Sequence, residues 1–421
     1  MMTWYSKSDG SSMADHIKAC AAELAALRKA SIPLEPGLVK ALVAGVALHD
    51  AGKLEFTFQR QMIRANKRLE DGEKTRAMDD LKRVFASTAR LVDDPRGFFD
   101  HEILSIAWLQ FLKIQVDGTP LDDRSKDMVG CAVLLHHLNA FYIDASARIG
   151  TILSEAYMHA YVKALPSLLP ELQAILAGCN LGVTIELDEG AIDSWSRFAA
   201  AAGKYGVDTL ARFIPRSLAR FNADDMQSKD TKDLLLLIGF LRKIDHRGSM
   251  NQAVPVGRSE AASAVQECLV GLEKNITAKF PGSWQSRVLA SVRGEPPLAI
   301  VAPTGSGKSE LAFLWAGQFP RKVVYTLPLR VALSDMFHDR LLDGYLNAFA
   351  ERKRDMVSIL HSTIASELVS FDENGHVNRS PADVCHDMKQ SKELAYPVML
   401  STIDQVMLAG LRYYGYEKIM A

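Results

Sequence analysis

The hydrophobic pattern of this 421-residue chain changes near residue 295, and that change limits the folds the chain can adopt. Before it, apolar residues recur at helical spacing in the segments 36–50, 101–115, 127–142, 151–164 and 231–246. After it, short apolar runs alternate with helical segments, as buried parallel strands do in βα units. The sequence therefore predicts a multidomain chain in which an all-α domain precedes an α/β parallel-sheet lobe.

A polar stretch that contains Asn251, Pro255 and Gly257 marks the predicted linker. We place the all-α domain at 1–250, a linker with a connecting helix at 251–280, and the α/β lobe at 281–421. Residues 60–95 carry charges of both signs and are predicted to form an exposed helical excursion. The predicted strands are Leu298–Val301, Val323–Leu327, Met356–Leu360 and Val398–Leu400.

The amino-acid composition limits the classes of protein to which this chain can belong. With 48% hydrophobic and 24% charged residues the chain resembles an ordinary globular protein, and its net charge of −1 requires any nucleic-acid contact to use local basic patches. The five cysteines are far apart, which argues against a zinc–thiolate site or a disulfide framework. The start lacks the apolar region of a signal peptide, and no apolar run is long enough to span a bilayer. We expect a cytoplasmic protein with no membrane partner.

Histidines and aspartates lie in apolar, helix-patterned surroundings of the first domain. They are His16, the pair His49-Asp50, His101, the pair His136-His137, and Asp245. A buried helix face has little use for such pairs unless they are partnered, because burying polar groups costs free energy. Imidazole and carboxylate together bind borderline divalent metals, and two such metals activate water against a phosphodiester.

The His49-Asp50 pair is the most informative part of this set. Adjacent helical positions point about 100° apart, so one pair can serve one metal and let the carboxylate bridge to a second. Lys53, on a neighbouring face, could hold a scissile phosphate or tune Asp50. The alternative is a dipeptide at a helix end with Lys53 solvated. Similarly, His101 alone could be a capping residue or a satisfied core histidine.

A second phosphate-binding pattern begins at residue 302. The loop Thr304-Gly305-Ser306-Gly307-Lys308-Ser309 follows a predicted strand and precedes a predicted helix. Glycines let backbone N–H groups wrap phosphates, Lys308 can reach the β and γ oxygens, and Ser309 can bind magnesium. The pattern predicts a site for ATP and Mg²⁺.

The order of these motifs resembles the HD-domain phosphohydrolases, and specifically the signature nuclease-helicases of type I CRISPR systems. The residues that match the family's motifs are, in chain order, Lys7-Ser8 before His16, His49-Asp50-x-Gly52-Lys53 with Phe58-Gln59, Asp100-His101-Glu102 with Ser105, His136-His137, and Asp245 with Ser249. The resemblance implies one or two divalent metals, with His16, His49, Asp50, His101, His136, His137 and Asp245 as ligands. It also implies cleavage of single-stranded DNA, in which Asp50 and Lys53 act catalytically and Lys53 contacts the phosphate. A nitrogen and oxygen ligand set without thiolate suits Mn, Fe, Co or Ni.

The second half resembles the first RecA-like lobe of superfamily-two helicases. Gln285 matches a base-sensing glutamine, and two motifs that follow strands match nucleic-acid contacts. The implied DNA-binding residues are Pro328, Arg330, Thr402, Asp404 and Gln405. No Asp-Glu-x-His or Asp-Glu-Ala-Asp box follows the phosphate loop, so the resemblance implies a lobe that stops before it. We expect little ATP turnover by these residues alone, because magnesium and the attacking water lack that acid.

The sequence thus predicts a metal-dependent nuclease for single-stranded DNA in CRISPR interference. In a full-length family member it would be coupled to ATP-driven 3'-5' unwinding, with a guide-RNA surveillance complex as partner. Two alternatives stay open. One is an HD phosphohydrolase for nucleotides with a regulatory nucleotide-binding lobe, and the other is a non-catalytic protein that binds DNA or the surveillance complex.

Overall fold

The computed structural model describes residues 2–29, 34–85, 101–137, 155–205, 213, 215, 228–250, 258–292, 298–319, 321–369, 380–392 and 394–410. It divides into two compact units. The first comprises residues 1–26 and 32–254, and the second comprises 27–31 and 255–421. None of the helices in the described ranges is both long enough and apolar enough to cross a membrane.

The first unit is mostly helical, as the sequence predicts. Its helices are α1 (Met13–Lys29), α2 (Pro36–Leu48), α3 (Phe56–Ala65), α4 (Asp71–Val84), α5 (His101–Phe111), α6 (Asp123–Leu135), α7 (Glu155–Ala177), α8 (Glu189–Tyr205) and α9 (Lys229–Met250). Helices α2, α5, α6 and α9 pack on one another. Helix α2 is buried at every position from Ala41 to Leu48, which is why its sequence is apolar on all faces. Helix α4, within the predicted excursion, buries Leu81 and exposes most of its charges; residues 86–95 lie outside the described ranges.

A small antiparallel sheet in the first unit is a feature the sequence analysis missed. Strand β1 (Leu112–Val116) pairs with β2 (Thr119–Pro120) on one side and with β3 (Val183–Leu187) on the other. The segment 101–115 was predicted as one helix, but α5 ends at Phe111 and β1 buries every second residue. The sequence did carry a hairpin signal. Polarity alternates along 112–116, and the Asp117-Gly118 turn follows, in which both residues have positive φ.

The second unit is an α/β lobe around a parallel sheet, which confirms the predicted fold class. Strands β4 (Val323–Leu327), β5 (Val357–Leu360) and β6 (Val398–Thr402) form the order β4-β6-β5. Its helices are α10 (Arg258–Lys279), α11 (Trp284–Ser291), α12 (Lys308–Gly317), α13 (Arg330–Asp335), α14 (Lys353–Met356), α15 (Ile364–Leu368), α16 (Pro381–Lys392) and α17 (Ile403–Gly410). A π-helical turn (Met336–Tyr345) and a 3-10 turn (Asn347–Arg352) follow α13. Helix α10, predicted to connect the domains, buries Leu269 and Leu272 in the core of this unit.

The prediction of a strand at Leu298–Val301 is wrong. These residues have no strand conformation, and the side chain of Val301 is fully exposed. A strand needs a neighbour that accepts and donates its backbone hydrogen bonds, and the described residues place none beside this run. The apolar composition of this four-residue run predicted a buried strand, but the described part of the lobe does not bury it.

Candidate metal centre and phosphate loop

The centre of the first unit is built around a sharp turn after α2. The helix ends at Leu48, His49 is its C-cap residue, and Ala51–Lys53 form one 3-10 turn. Because residues three apart eclipse each other in a 3-10 turn, Lys53 lies over Asp50, with Nζ 2.7 Å from Oδ2. Lys53 is buried, whereas the alternative of a dipeptide at a helix end required a solvated Lys53.

Helix α5 packs directly on this turn. A Cβ at Gly52 would lie 2.0 Å from the carbonyl oxygen of His101, so only glycine fits there. The hydroxyl of Ser105 accepts a hydrogen bond from the Gly52 N–H at 2.8 Å. Its own proton is within reach of the carbonyl oxygens of His49, at 2.7 Å, and His101, at 2.9 Å. Ser105 thereby ties together the backbones that carry three predicted ligands.

Two groups of potential metal ligands meet at this turn. The first group contains His16 from α1, His49, Asp245 from α9, and Cys20 from α1, all buried. The second group contains Asp50, His101 from α5, and His136 and His137 at the end of α6. Within each group the donor atoms lie within 4.8 Å of one another, so each group can hold a divalent metal ion.

The carboxylate of Asp50 stands between the two groups. Its Oδ2 lies 3.2 Å from Nε2 of His16 in the first group. Its Oδ1 lies 3.0 Å from Nε2 of His101 in the second group. One carboxylate oxygen therefore faces each group, which is the arrangement a bridging ligand requires.

Backbone carbonyls orient two of the buried histidines. Nδ1 of His49 lies 3.0 Å from the carbonyl oxygen of Val46, and Nδ1 of His136 lies 2.5 Å from that of Val133. When Nδ1 donates the proton, the Nε2 lone pair of each ring faces the centre. Nε2 of His136 is buried and has no hydrogen-bond partner among the described residues. Burial also lowers the pKa of His136 well below its usual value, which favours the neutral, metal-binding form.

The acids of the centre are held in their charged form. Burial alone would raise the pKa of Asp50, but Lys53 and His49 outweigh it and lower this pKa well below its usual value. Burial likewise opposes protonation of His16, yet its hydrogen bonds to Asp245 and Asp50 raise its pKa to about 12. A divalent cation would compete with that proton, because it brings positive charge to the same two carboxylates.

The structure brings all seven predicted ligands into these two groups. His137 is the exposed member, and the His101 side chain is 12% exposed. The second group is therefore the one that solvent and a substrate can reach. Sequence reasoning missed Cys20, although its position four residues after His16 on one helix was a usable signal.

The phosphate loop lies in the second unit. Gly305 and Gly307 have positive φ values of 79° and 86°, which explains why glycine occupies both positions. Helix α12 begins at Lys308, and Nζ of Lys308 donates to the carbonyl oxygens of Ala302 and Pro303 at 2.9 and 2.8 Å. The hydroxyl of Ser309 lies 3.2 Å from that of Tyr325. A cavity of about 860 Å³ opens over the loop and is lined by all the predicted residues Gln285, Thr304, Gly305, Ser306, Gly307, Lys308 and Ser309.

Residues of α11 and α12 support the loop. Nε2 of Gln285 lies 3.1 Å from the carbonyl oxygen of Ser306, and Nε1 of Trp284 donates to the same oxygen at 2.8 Å. Oε1 of Glu310 accepts from Arg340 at 3.0 Å and from the Tyr345 hydroxyl at 2.7 Å. Trp284, Glu310 and Arg340 also line the cavity and were missed by sequence reasoning.

The predicted DNA-contacting residues follow neighbouring strands. Pro328 and Arg330 come after β4, and Thr402, Asp404 and Gln405 end or follow β6. Leu327 pairs with Thr402, so these strands end side by side at one sheet edge. The Arg330 guanidinium lies 3.3 Å from the Ser362 hydroxyl, beyond the end of β5, which brings three strand ends together.

Comparisons with known proteins show which sequences this chain resembles. Residues 11–173 match the family model described as Cas3, HD domain. The CRISPR-associated nuclease/helicase Cas3 of Methanothermobacter thermautotrophicus is 29% identical over 390 residues, covering 91% of this chain and 42% of that protein. Putative helicase 7 of Sulfolobus islandicus filamentous virus is 42% identical over 74 residues, covering 16% of this chain and 12% of that protein.

A solved structure is also similar. The crystal structure of T. fusca Cas3 aligns with a TM-score of 0.40 at 18% identity, covering 96% of this chain and 44% of that one. The chain spans less than half the length of the Cas3 proteins it matches.

We predict that Ser105→Ala loosens the metal centre without removing a ligand. A buried hydrogen bond contributes about 1 kcal/mol, and loss of an orienting contact typically costs metal affinity about 10–100-fold. Isothermal titration with Mn²⁺ should show that loss, and chemical denaturation should show lower stability. Ser125→Ala is the control, because the Ser125 hydroxyl binds Asp122 away from the centre. Equal manganese affinity in both variants would contradict the role of Ser105.

Proposed function

Since the chain is a relative of the Cas3 nuclease-helicases and carries their HD domain, we propose that its first unit is a metal-dependent nuclease for single-stranded DNA. The observation that carries the proposal is the position of Asp50, with one carboxylate oxygen toward each group of potential ligands. Divalent ions bound there would lower the pKa of a water molecule and stabilise charge on a phosphodiester. Mn, Co, Ni or Fe suit the histidine and carboxylate donors of the second group.

The residues of the centre have distinct roles in this proposal. His16, His49 and Asp245 form the buried side, and Asp50 links it to the accessible side formed by His101, His136 and His137. Lys53 keeps Asp50 ionised and lies close enough to the same carboxylate to attract a phosphate oxygen. A single strand is a suitable substrate because most donor atoms of the centre are buried, and a flexible single strand can approach them more closely than a rigid duplex can.

For the second unit we propose binding of ATP with Mg²⁺ at the phosphate loop. The glycine conformations, the cavity over the loop and the start of α12 at Lys308 support it. Lys308 would exchange the loop carbonyls it now contacts for nucleotide phosphates. We further propose that the strand-end residues Pro328, Arg330, Thr402, Asp404 and Gln405 contact DNA, and that a guide-RNA surveillance complex of type I CRISPR interference recruits the protein.

We predict that the purified chain nicks single-stranded DNA with Mn²⁺, Co²⁺ or Ni²⁺ and stops when a chelator is added. Asp50→Ala should lower the rate by at least about a hundredfold, because several kcal/mol of transition-state stabilisation depend on the metals. Asp79→Ala is the control, since Asp79 pairs with Lys82 on the exposed α4. Undiminished cleavage by Asp50→Ala would refute the assignment.

The same assay separates the alternatives. Turnover of mononucleotides without DNA cleavage would favour a nucleotide phosphohydrolase. Purification without bound metal, together with DNA binding but no turnover of either substrate, would favour a non-catalytic binding protein.

We predict that Lys308→Ala weakens binding of a fluorescent ATP analogue by about 10–100-fold, since a charge-assisted hydrogen bond contributes about 1.5–3 kcal/mol. Equilibrium fluorescence anisotropy in the presence of Mg²⁺ measures this affinity. Lys353→Ala removes the same charge at a site paired with Asp343, outside the cavity, and should bind normally. Equal weakening by both variants would point to a general charge effect and contradict the loop assignment.

A further inference from the structure

A cysteine accompanies the buried half of the metal centre. Cys20 lies four residues after His16 on α1, so both side chains project from the same face of the helix. Its Sγ is 3.8 Å from Nε2 of His16, and the residue has no exposed surface. The composition had suggested that thiolate chemistry was absent, because the five cysteines are scattered along the sequence.

The helix opposite leaves room for this sulfur atom. Gly248 lies on α9, three residues after Asp245, so the two residues share one side of the helix. A Cβ at Gly248 would lie 2.5 Å from Sγ of Cys20 and 2.9 Å from its backbone nitrogen. The face of α9 that presents Asp245 to the centre therefore also admits the thiol next to it.

The distances within the first group fit one ion. The donor atoms of His16, Cys20, His49 and Asp245 all lie within 4.8 Å of one another. Metal–nitrogen and metal–oxygen bonds of about 2.0–2.2 Å and a metal–sulfur bond of about 2.3 Å would place neighbouring ligand atoms about 3–4 Å apart. Small side-chain movements would bring these four donors to such positions. Cys131, Cys179 and Cys268 are also buried, but they belong to neither group of potential ligands in the described part of the chain.

We propose that Cys20 is a further ligand of the ion that His16, His49, Asp245 and one oxygen of the bridging Asp50 would hold. The two halves of the centre then differ in chemistry, because a thiolate favours softer ions such as Zn²⁺, Co²⁺ or Cd²⁺, whereas the second group offers nitrogen and oxygen donors alone. When the metal–sulfur bond forms, the thiol S–H bond breaks and its proton leaves to solvent. The inference rests on the metal centre of the proposed function and specifies its ligands.

Cobalt spectroscopy on the full 421-residue chain tests this assignment. Adding Co²⁺ should produce a thiolate-to-cobalt charge-transfer band in the near ultraviolet, which imidazole and carboxylate ligands do not give. Cys20→Ser should still bind cobalt through the remaining donors but lose this band completely. Its affinity for Cd²⁺ should fall by at least about tenfold, as loss of a supporting group at a metal site does.

Two further variants show whether the charge-transfer band comes from Cys20 or from another cysteine. Cys179→Ser replaces another buried cysteine of the first unit and should keep the band. A variant in which Cys131, Cys179, Cys268 and Cys385 are all serine should also keep it, and this holds whether or not Cys20→Ser folds.

The outcomes separate this inference from the proposed function. Cobalt binding without a charge-transfer band, or a band that survives in Cys20→Ser, overturns the role of Cys20 and leaves the metal centre intact. Failure of the wild-type chain to bind cobalt at all overturns the metal centre itself, and the ligand assignment with it.

Discussion

The burial of the Asp50 carboxylate is the constraint on which the first unit depends. A charged carboxylate with 1% exposure is costly to bury unless cations and hydrogen-bond donors surround it. Lys53 supplies one charge from the same turn, and His16 and His101 approach the two oxygens from α1 and α5. Asp245 adds a second buried carboxylate from α9, which increases the need for positive charge. The helices therefore converge on a place that favours a divalent cation.

The sequence predicted the members of this centre because ionisable pairs at the ends of apolar helices are expensive without partners. It could not predict their geometry. The sequence left open whether His49 and Asp50 are adjacent helical positions or a dipeptide at a helix end. Helix α2 ends at Leu48, and the 3-10 turn that follows is what places Lys53 over Asp50. Cys20 was missed because a single buried cysteine usually packs as a small apolar residue, and its distance from Asp245 along the chain hides their proximity.

The second unit shows the same limits for the sheet and the loop. The runs that became β4, β5 and β6 were recognisable because each is apolar and short. Leu298–Val301 has the same composition but no strand partner in the described residues, and composition alone cannot report whether a partner exists. The glycines at 305 and 307 were predictable from the motif, since their positive φ is nearly exclusive to glycine. The contacts of Trp284 and Glu310 with their neighbours depend on tertiary packing and left no sequence signal.

We propose that Asp50 bridges the two halves of a metal centre. Anomalous X-ray diffraction from crystals of the full chain soaked in Mn²⁺, recorded at the manganese edge, would locate the bound ions. We expect anomalous density within bonding distance of the Asp50 carboxylate, with His101 and His136 as further ligands of the accessible ion. Manganese density elsewhere in the chain, with none at Asp50, would contradict it.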